Sequence, residues 1–149
     1  AGSDYKLLLV GKQSPGQKAY YEKVMNAIQG NPNIQYIESV ENAKLYQLYK
    51  VCKVSVLPSW FETPGLVSLE AAAMGCNIVV SDKGTTKDYF KEFAYYCDVM
   101  DSASIRKQID NAYNAVFNPQ VRDMIFNEYT WDKAGEATLK GYRMVLNAD

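Results

Sequence analysis

Histidine is missing from this 149-residue chain, and its absence closes off two catalytic classes. Neither a Ser-His-Asp triad nor a Cys-His pair can be assembled from these residues alone, because each needs an imidazole to take the nucleophile's proton. Cysteine is sparse as well: Cys52, Cys76 and Cys97 are odd in number and show no C-x-x-C spacing. That argues against a disulfide framework and a zinc site, and it fits a reducing cytosol. Positive charge is in no excess, with 16 Lys and Arg against 17 Asp and Glu. A protein that binds by neutralising phosphates along a polynucleotide would be basic, so nucleic acid is not an expected partner. No apolar run approaches the ~20 residues of a membrane-spanning helix, and no signal peptide is recognisable. The opening Ala1-Gly2-Ser3 reads as a cloning remnant, which leaves residues 4–149 as one domain able to bury a substantial core.

What is present is an alternation of apolar runs and amphipathic stretches. "YKLLLVG" reads as a buried strand, and Tyr21, Val24 and Ile28 give helical spacing up to Gly30 and Pro32. "NIQYIES" is a short strand; Leu45, Leu48, Tyr49 and Cys52 mark one face of a helix. "VSVLPS" is a strand halted by Pro58, and "CNIVVSD" and "AYYCD" are further strands. "TTKDYFKEF" is a short helix. Ile105, Ile109, Ala112 and Val116 predict another, ending near Asn118-Pro119, and Leu139, Tyr142, Val145 and Leu146 share a face of the last. Apolar strands separated by amphipathic helices predict one doubly wound α/β domain, a parallel sheet covered on both sides. Such sheets bind ligands at the carboxyl ends of their strands.

Two loops lie at such ends. "VGKQSPGQK" is not a P-loop, since Gly16 is followed by Gln17, Lys18 and Ala19 rather than Lys and Ser or Thr, and it is not G-x-G-x-x-G. It reads as a flexible turn in which Gly11 and Lys12 could line a cleft. "SVLPSWFETPGLVSLEAAAMG" carries more. Glu62 stands in a loop after a strand, and Gly65 opens a helix whose free N–H groups and positive dipole end suit a phosphate. Glu70 sits among Leu69, Ala71 and Ala72, where a carboxylate needs a polar partner such as ribose hydroxyls. Small Ala71, Ala72 and Ala73 allow close approach to the sheet. The plainer alternative is that Glu62 complements the helix dipole while Glu70 is solvated. A glycosidase-like carboxylate pair is a third reading. Lys83, Gly84, Thr85 and Thr86 fall beside the same cleft edge, with Thr85 or Thr86 expected to cap the next helix.

The stretch "PSWFETPGLVSLEAAAMGCNIVVSDKGTTKDYF" resembles the signature region of retaining GT-B glycosyltransferases, specifically the GT4 group (group 1 glycosyltransferases), whose mark is E-x7-E. Glu62 and Glu70 stand at that spacing. "KLLLVG", "IQYIESVENAKLYQLYKVCKVSVLPS", "AYYCDVMDSASIRKQI" and "YTWDKAGEATLKGYRMVL" resemble the flanking segments, so the likeness covers nearly all of residues 5–147.

The resemblance implies a Rossmann-like fold, the C-terminal half of a GT-B fold without its first strand, and a nucleotide-sugar donor such as a UDP- or GDP-sugar. It gives Glu62 the hydroxyls of the transferred sugar as the catalytic residue and Glu70 the ribose. The backbone of Thr63, Pro64, Gly65, Leu66 and Val67 would line the sugar and phosphate site, with Ser39 and Val40 beside the nucleobase. No metal and no cofactor are implied, because helix N-termini and basic residues neutralise the diphosphate. "ETPGL" departs from the common Glu-Gly-Phe-Gly-Leu but keeps the glycine. The strand with the family's diphosphate-clamping Arg and Lys is absent, as is the N-terminal acceptor domain, where many members keep a site histidine. The fragment is therefore expected to be inactive alone. Its implied partners are the nucleotide sugar and the acceptor half, with peripheral association at the cytoplasmic membrane face through that half. The alternative is a non-catalytic α/β domain that binds a nucleotide or metabolite and regulates a partner.

Overall fold

The computed structural model describes residues 5–146, so Ala1, Gly2 and Ser3, expected as a cloning remnant, lie outside the described residues. The elements follow in the order β1 (Leu7–Val10), α1 (Lys18–Ile28), β2 (Ile34–Ile37), α2 (Asn42–Val51), β3 (Val54–Leu57) and α3 (Leu66–Ala73). Then come β4 (Asn77–Ser81), α4 (Thr86–Phe90), a 3-10 turn (Lys91–Phe93), β5 (Ala94–Cys97), α5 (Ser102–Asn114), α6 (Gln120–Glu128) and α7 (Trp131–Leu146). All strand pairs are parallel, as helical crossovers between successive strands require. The sequence pattern suggests one sheet, whereas the strands hydrogen-bond as two ladders, β1-β2 and β3-β4-β5. Apolar periodicity marks strands without saying which edges meet. The chain falls into two compact units, residues 1–45 and 46–149.

In the first unit β1 and β2 run in register from Leu7 opposite Ile34 to Val10 opposite Ile37. The Tyr36 hydroxyl donates to the Gly11 carbonyl at 2.6 Å, and the Tyr21 and Tyr36 rings meet edge to face. The expectation that β1 is buried fails: Leu7 and Val10 are each 43% exposed, and no described residue of this unit is buried. Two strands and one helix do not make the layers needed to close over four consecutive apolar residues.

The core lies in the second unit, and β4 is its centre, buried at all five positions. Successive strand side chains point to opposite faces. Ile78 and Val80 pack with Leu69, Ala71 and Ala72 of α3, Phe90 of α4, and Val121, Met124 and Ile125 of α6. Val79 points the other way, to Cys97 and Ala112, with Ile105 and Ile109 of α5 alongside. This three-stranded parallel sheet is thus covered on both faces, the doubly wound arrangement the sequence predicts.

Three details differ from the sequence reading. α5 stops at Asn114 rather than running through Val116, which is 93% exposed. The Asn77 side-chain amide donates to the carbonyls of Ala112 and Ala115 at 2.8 and 3.2 Å, and Ala115 is already extended. α6 was not expected, although Val121, Met124 and Ile125 have helical spacing just after Pro119. The apolar face expected on the last helix forms, but Leu139, Tyr142, Val145 and Leu146 are all exposed. No helix among the described residues is long and apolar enough to cross a membrane.

Candidate functional site

Beyond the carboxyl end of β3 the second unit opens into a groove of about 340 Å³, lined by Leu57, Glu62, Thr63, Pro64, Gly65, Leu66 and Val67. The loop that builds it leaves the strand at Pro58 and re-enters regular structure at α3. Gly65 sits at the N-cap with φ 72°, a left-handed conformation that L side chains rarely adopt, and no side chain caps the helix. Its carbonyl takes the N–H groups of Ser68 and Leu69. The N–H groups of Leu66 and Val67, at the helix start, have no carbonyl within the helix to reach. Those donors, and the positive end of the helix dipole, belong to residues that line the groove.

Glu62 is half-buried. Its main chain is fixed from the β4–α4 turn: the Thr85 N–H donates to the Glu62 carbonyl at 3.2 Å, and the Thr85 hydroxyl to the same oxygen at 3.4 Å. The expected threonine cap is therefore replaced. Thr85 does stand at the α4 N-cap, but its hydroxyl caps nothing there. Thr86 is buried and donates to the Ser81 carbonyl at 2.7 Å. Glu70 lies further along α3, half-buried, and is not among the groove-lining residues. Burial, followed by the Glu70 charge, pushes the hydroxyl of Tyr49, on α2, up to about 12. Neither carboxylate has an ion-pair partner among the described residues.

The groove therefore gathers Glu62, Thr63, Pro64, Gly65, Leu66 and Val67 of the expected site residues. Gly11 and Lys12, after β1, and Ser39 and Val40, after β2, belong to the first unit, also at carboxyl ends of strands. Among the described residues no three His, Cys, Asp or Glu side chains gather closely enough to hold a metal ion.

Two features of α3 escape sequence inspection. Arg122 of α6 donates from Nε to the Ala73 carbonyl at 3.0 Å, holding the C-terminal end of α3. The buried Ser68 hydroxyl, in the first turn of α3, has no hydrogen-bond partner among the described residues. The helical spacing of Val121, Met124 and Ile125 is the sequence signal for the first; nothing in the sequence marks the second.

Residues 1–129 match the family model described as "Glycosyl transferases group 1". The chain belongs to the group 1 glycosyltransferases. Among curated members of this kind, the serotype-specific mannosyltransferase WbdA of Escherichia coli is 26% identical over 149 residues, covering 99% of this chain and 18% of its own length. An uncharacterised glycosyltransferase of Methanocaldococcus jannaschii is also 26% identical, covering 95% of this chain and 37% of its own. The chain thus spans about a fifth to two-fifths of the length of these relatives. A sucrose-phosphate synthase from Thermosynechococcus elongatus superposes with a TM-score of 0.80 at 20% identity, covering 97% of this chain and 39% of its own. AviGT4, a glycosyltransferase involved in avilamycin A biosynthesis, gives 0.74 at 15% identity, covering 97% and 44%. These structures identify the fold as a Rossmann-like half of the GT-B architecture.

Proposed function

We propose that this chain is the C-terminal, donor-binding half of a retaining GT4-type enzyme that moves a hexosyl group from a nucleotide sugar to a glycan, lipid-linked or other acceptor. One observation carries the reading. The groove at the end of β3 combines a half-buried carboxylate that has no ion-pair partner among the described residues with the uncapped start of α3. A diphosphate seated there receives the free N–H groups of Leu66 and Val67, and the helix dipole stabilises the negative charge that grows on it as the glycosidic bond breaks. Glu62 accepts hydrogen bonds from hydroxyls of the transferred sugar and fixes the ring against the departing phosphate. Glu70, further along the helix, is assigned the ribose, and Ser39 and Val40 the nucleobase. The donor is a UDP- or GDP-sugar, with mannosyl donors first in order because WbdA is named a mannosyltransferase. No resident metal or cofactor takes part in this scheme. The acceptor is held by another part of the longer protein, and the reaction belongs at the cytoplasmic face of the membrane.

The test is transfer by the longer protein containing this chain, assayed against a panel of nucleotide sugars. Glu62→Ala should abolish transfer while leaving the unfolding transition of this domain in place. Turnover at the parent rate would overturn the assignment, and a regulatory nucleotide-binding domain would then be the better reading.

A further inference from the structure

We propose that the β4–α4 turn is a positioning element for Glu62, and that Gly84 is the residue it depends on. Gly84 has φ 70°, and a Cβ built there would overlap the Glu62 carbonyl oxygen and stand 2.9 Å from the Glu62 nitrogen. Both are backbone atoms, so neither can swing aside as the end of a flexible side chain would. Any L side chain at this position thus meets two obstacles, the left-handed backbone and the main chain of Glu62. The next residue, Thr85, holds the same carbonyl with its N–H and its hydroxyl.

The turn that supplies these contacts is itself anchored to the core. Thr86, 1% exposed, ties its hydroxyl to the Ser81 carbonyl at the end of β4, and the Lys83 N–H donates to the Ser81 hydroxyl at 3.3 Å. On the groove side, Gly65 fits closely under the Glu62 side chain: a Cβ there would lie 2.9 Å from Glu62 Cγ. Glu62 is therefore set between two glycines, one behind its backbone and one beneath its side chain. A displacement of about 1 Å in a group that orients substrate can cost about a hundredfold in rate. The contacts at Gly84 and Thr85 are of the kind that prevent such a displacement.

The inference rests on the proposed role of Glu62 for its consequence in catalysis, but its structural half stands apart, and the test separates them. In nuclear magnetic resonance spectra of the 149-residue chain, Gly84→Ala should shift the amides of Glu62, Thr63 and Gly65 while those of Ile78, Val79 and Val80 stay in place. Unmoved Glu62 and Thr63 amides would overturn the positioning role. Should Gly84→Ala not fold, Thr85→Val, which keeps the main-chain bond and removes the hydroxyl, should give the same pattern at smaller size, and Thr85→Ser should restore it.

In the longer protein, Gly84→Ala should lower kcat for sugar transfer at least tenfold. In a Glu62→Gln background it should add no more than about twofold, because the group it positions has already lost its function. A full, multiplicative loss in both backgrounds would show that Gly84 acts on the fold and not through Glu62, and would overturn the inference. If Glu62→Gln alone leaves transfer intact, the functional reading fails, and the amide shifts still decide the positioning role.

Discussion

Replacing Arg122 by alanine should loosen the far end of the helix whose start forms the groove. Arg122 is half-buried; its Nε–H donates to the Ala73 carbonyl at 3.0 Å, and its guanidinium lies 5.4 Å from the centre of the Phe117 ring. Ala73 is the last residue of α3, so its carbonyl has no partner within the helix. A bond from a charged donor is worth about 1.5–3 kcal/mol, and water reaching a half-exposed site sets the lower end of that range. The cation over Phe117 contributes about 0.5 kcal/mol more. The sum, about 2 kcal/mol, corresponds to a fall in Tm of about 6 °C for a chain of this size. Circular dichroism melts of the parent and Arg122→Ala, matched in concentration and buffer, measure it directly. Arg122→Lys, which keeps the charge but lacks the planar fork, should fall between the two. A Tm for Arg122→Ala within about 1 °C of the parent would show that the end of α3 is held by the backbone bonds from Met74, Gly75 and Cys76 without help from Arg122.

Other substitutions probe the core and its polar exceptions. Ser68→Ala should raise stability by about 1 kcal/mol, because it removes a buried hydroxyl that has no partner; a clear loss in urea unfolding would reveal a partner for it. Phe90→Ala empties a fully buried position under β4 and should cost about 3–5 kcal/mol, a value that a near-parental urea midpoint would contradict. Alkylation at mildly alkaline pH followed by mass mapping should label half-buried Cys52 first and spare buried Cys76 and Cys97. Burial pushes the Cys76 thiol and the Tyr96 hydroxyl each up to about 12, from ordinary values of 9.0 and 10.0. The native state holds these protons more tightly than the unfolded chain does, so their stabilisation is intact below about pH 9 and falls away towards pH 12. Cys76→Ala should flatten part of that fall in a pH series of urea midpoints; an identical pH dependence would contradict it.

Much of the architecture is legible in the residues. The uninterrupted apolar run "NIVVS" announces a strand covered on both sides, and β4 is buried at every position. The glycine in "ETPGL" signals a turn into a helix, and Gly65 occupies that N-cap in the left-handed conformation. Three consecutive alanines foretell close approach, and Ala71 and Ala72 have no exposed surface. Where the reading fell short, the cause lies in contacts between distant segments. "KLLLV" has the same apolar character as "NIVVS", yet β1 is half-exposed, because burial depends on how many layers surround a strand and not on its own composition. The end of α5 is decided by the amide of Asn77, 35 residues away from Ala112 in sequence. α6 was in plain view as Val121, Met124 and Ile125, but a nine-residue helix with one apolar edge is easily absorbed into the ends of its neighbours. The hold of Gly84 and Thr85 on Glu62 belongs to the same class, since no local rule links two loops on different strands.

The proposed function requires a nucleotide sugar in the groove between Glu62 and the start of α3. Titrating the 149-residue chain with UDP, GDP and their sugars, while recording backbone amide resonances, tests this most directly. A donor should shift the amides of Thr63, Gly65, Leu66 and Val67 together and saturably in the millimolar range, and Glu62→Ala should weaken the response to the sugar-bearing ligand more than the response to the bare nucleotide. Saturable shifts elsewhere on the chain, or none at these residues with every donor tried, would contradict it.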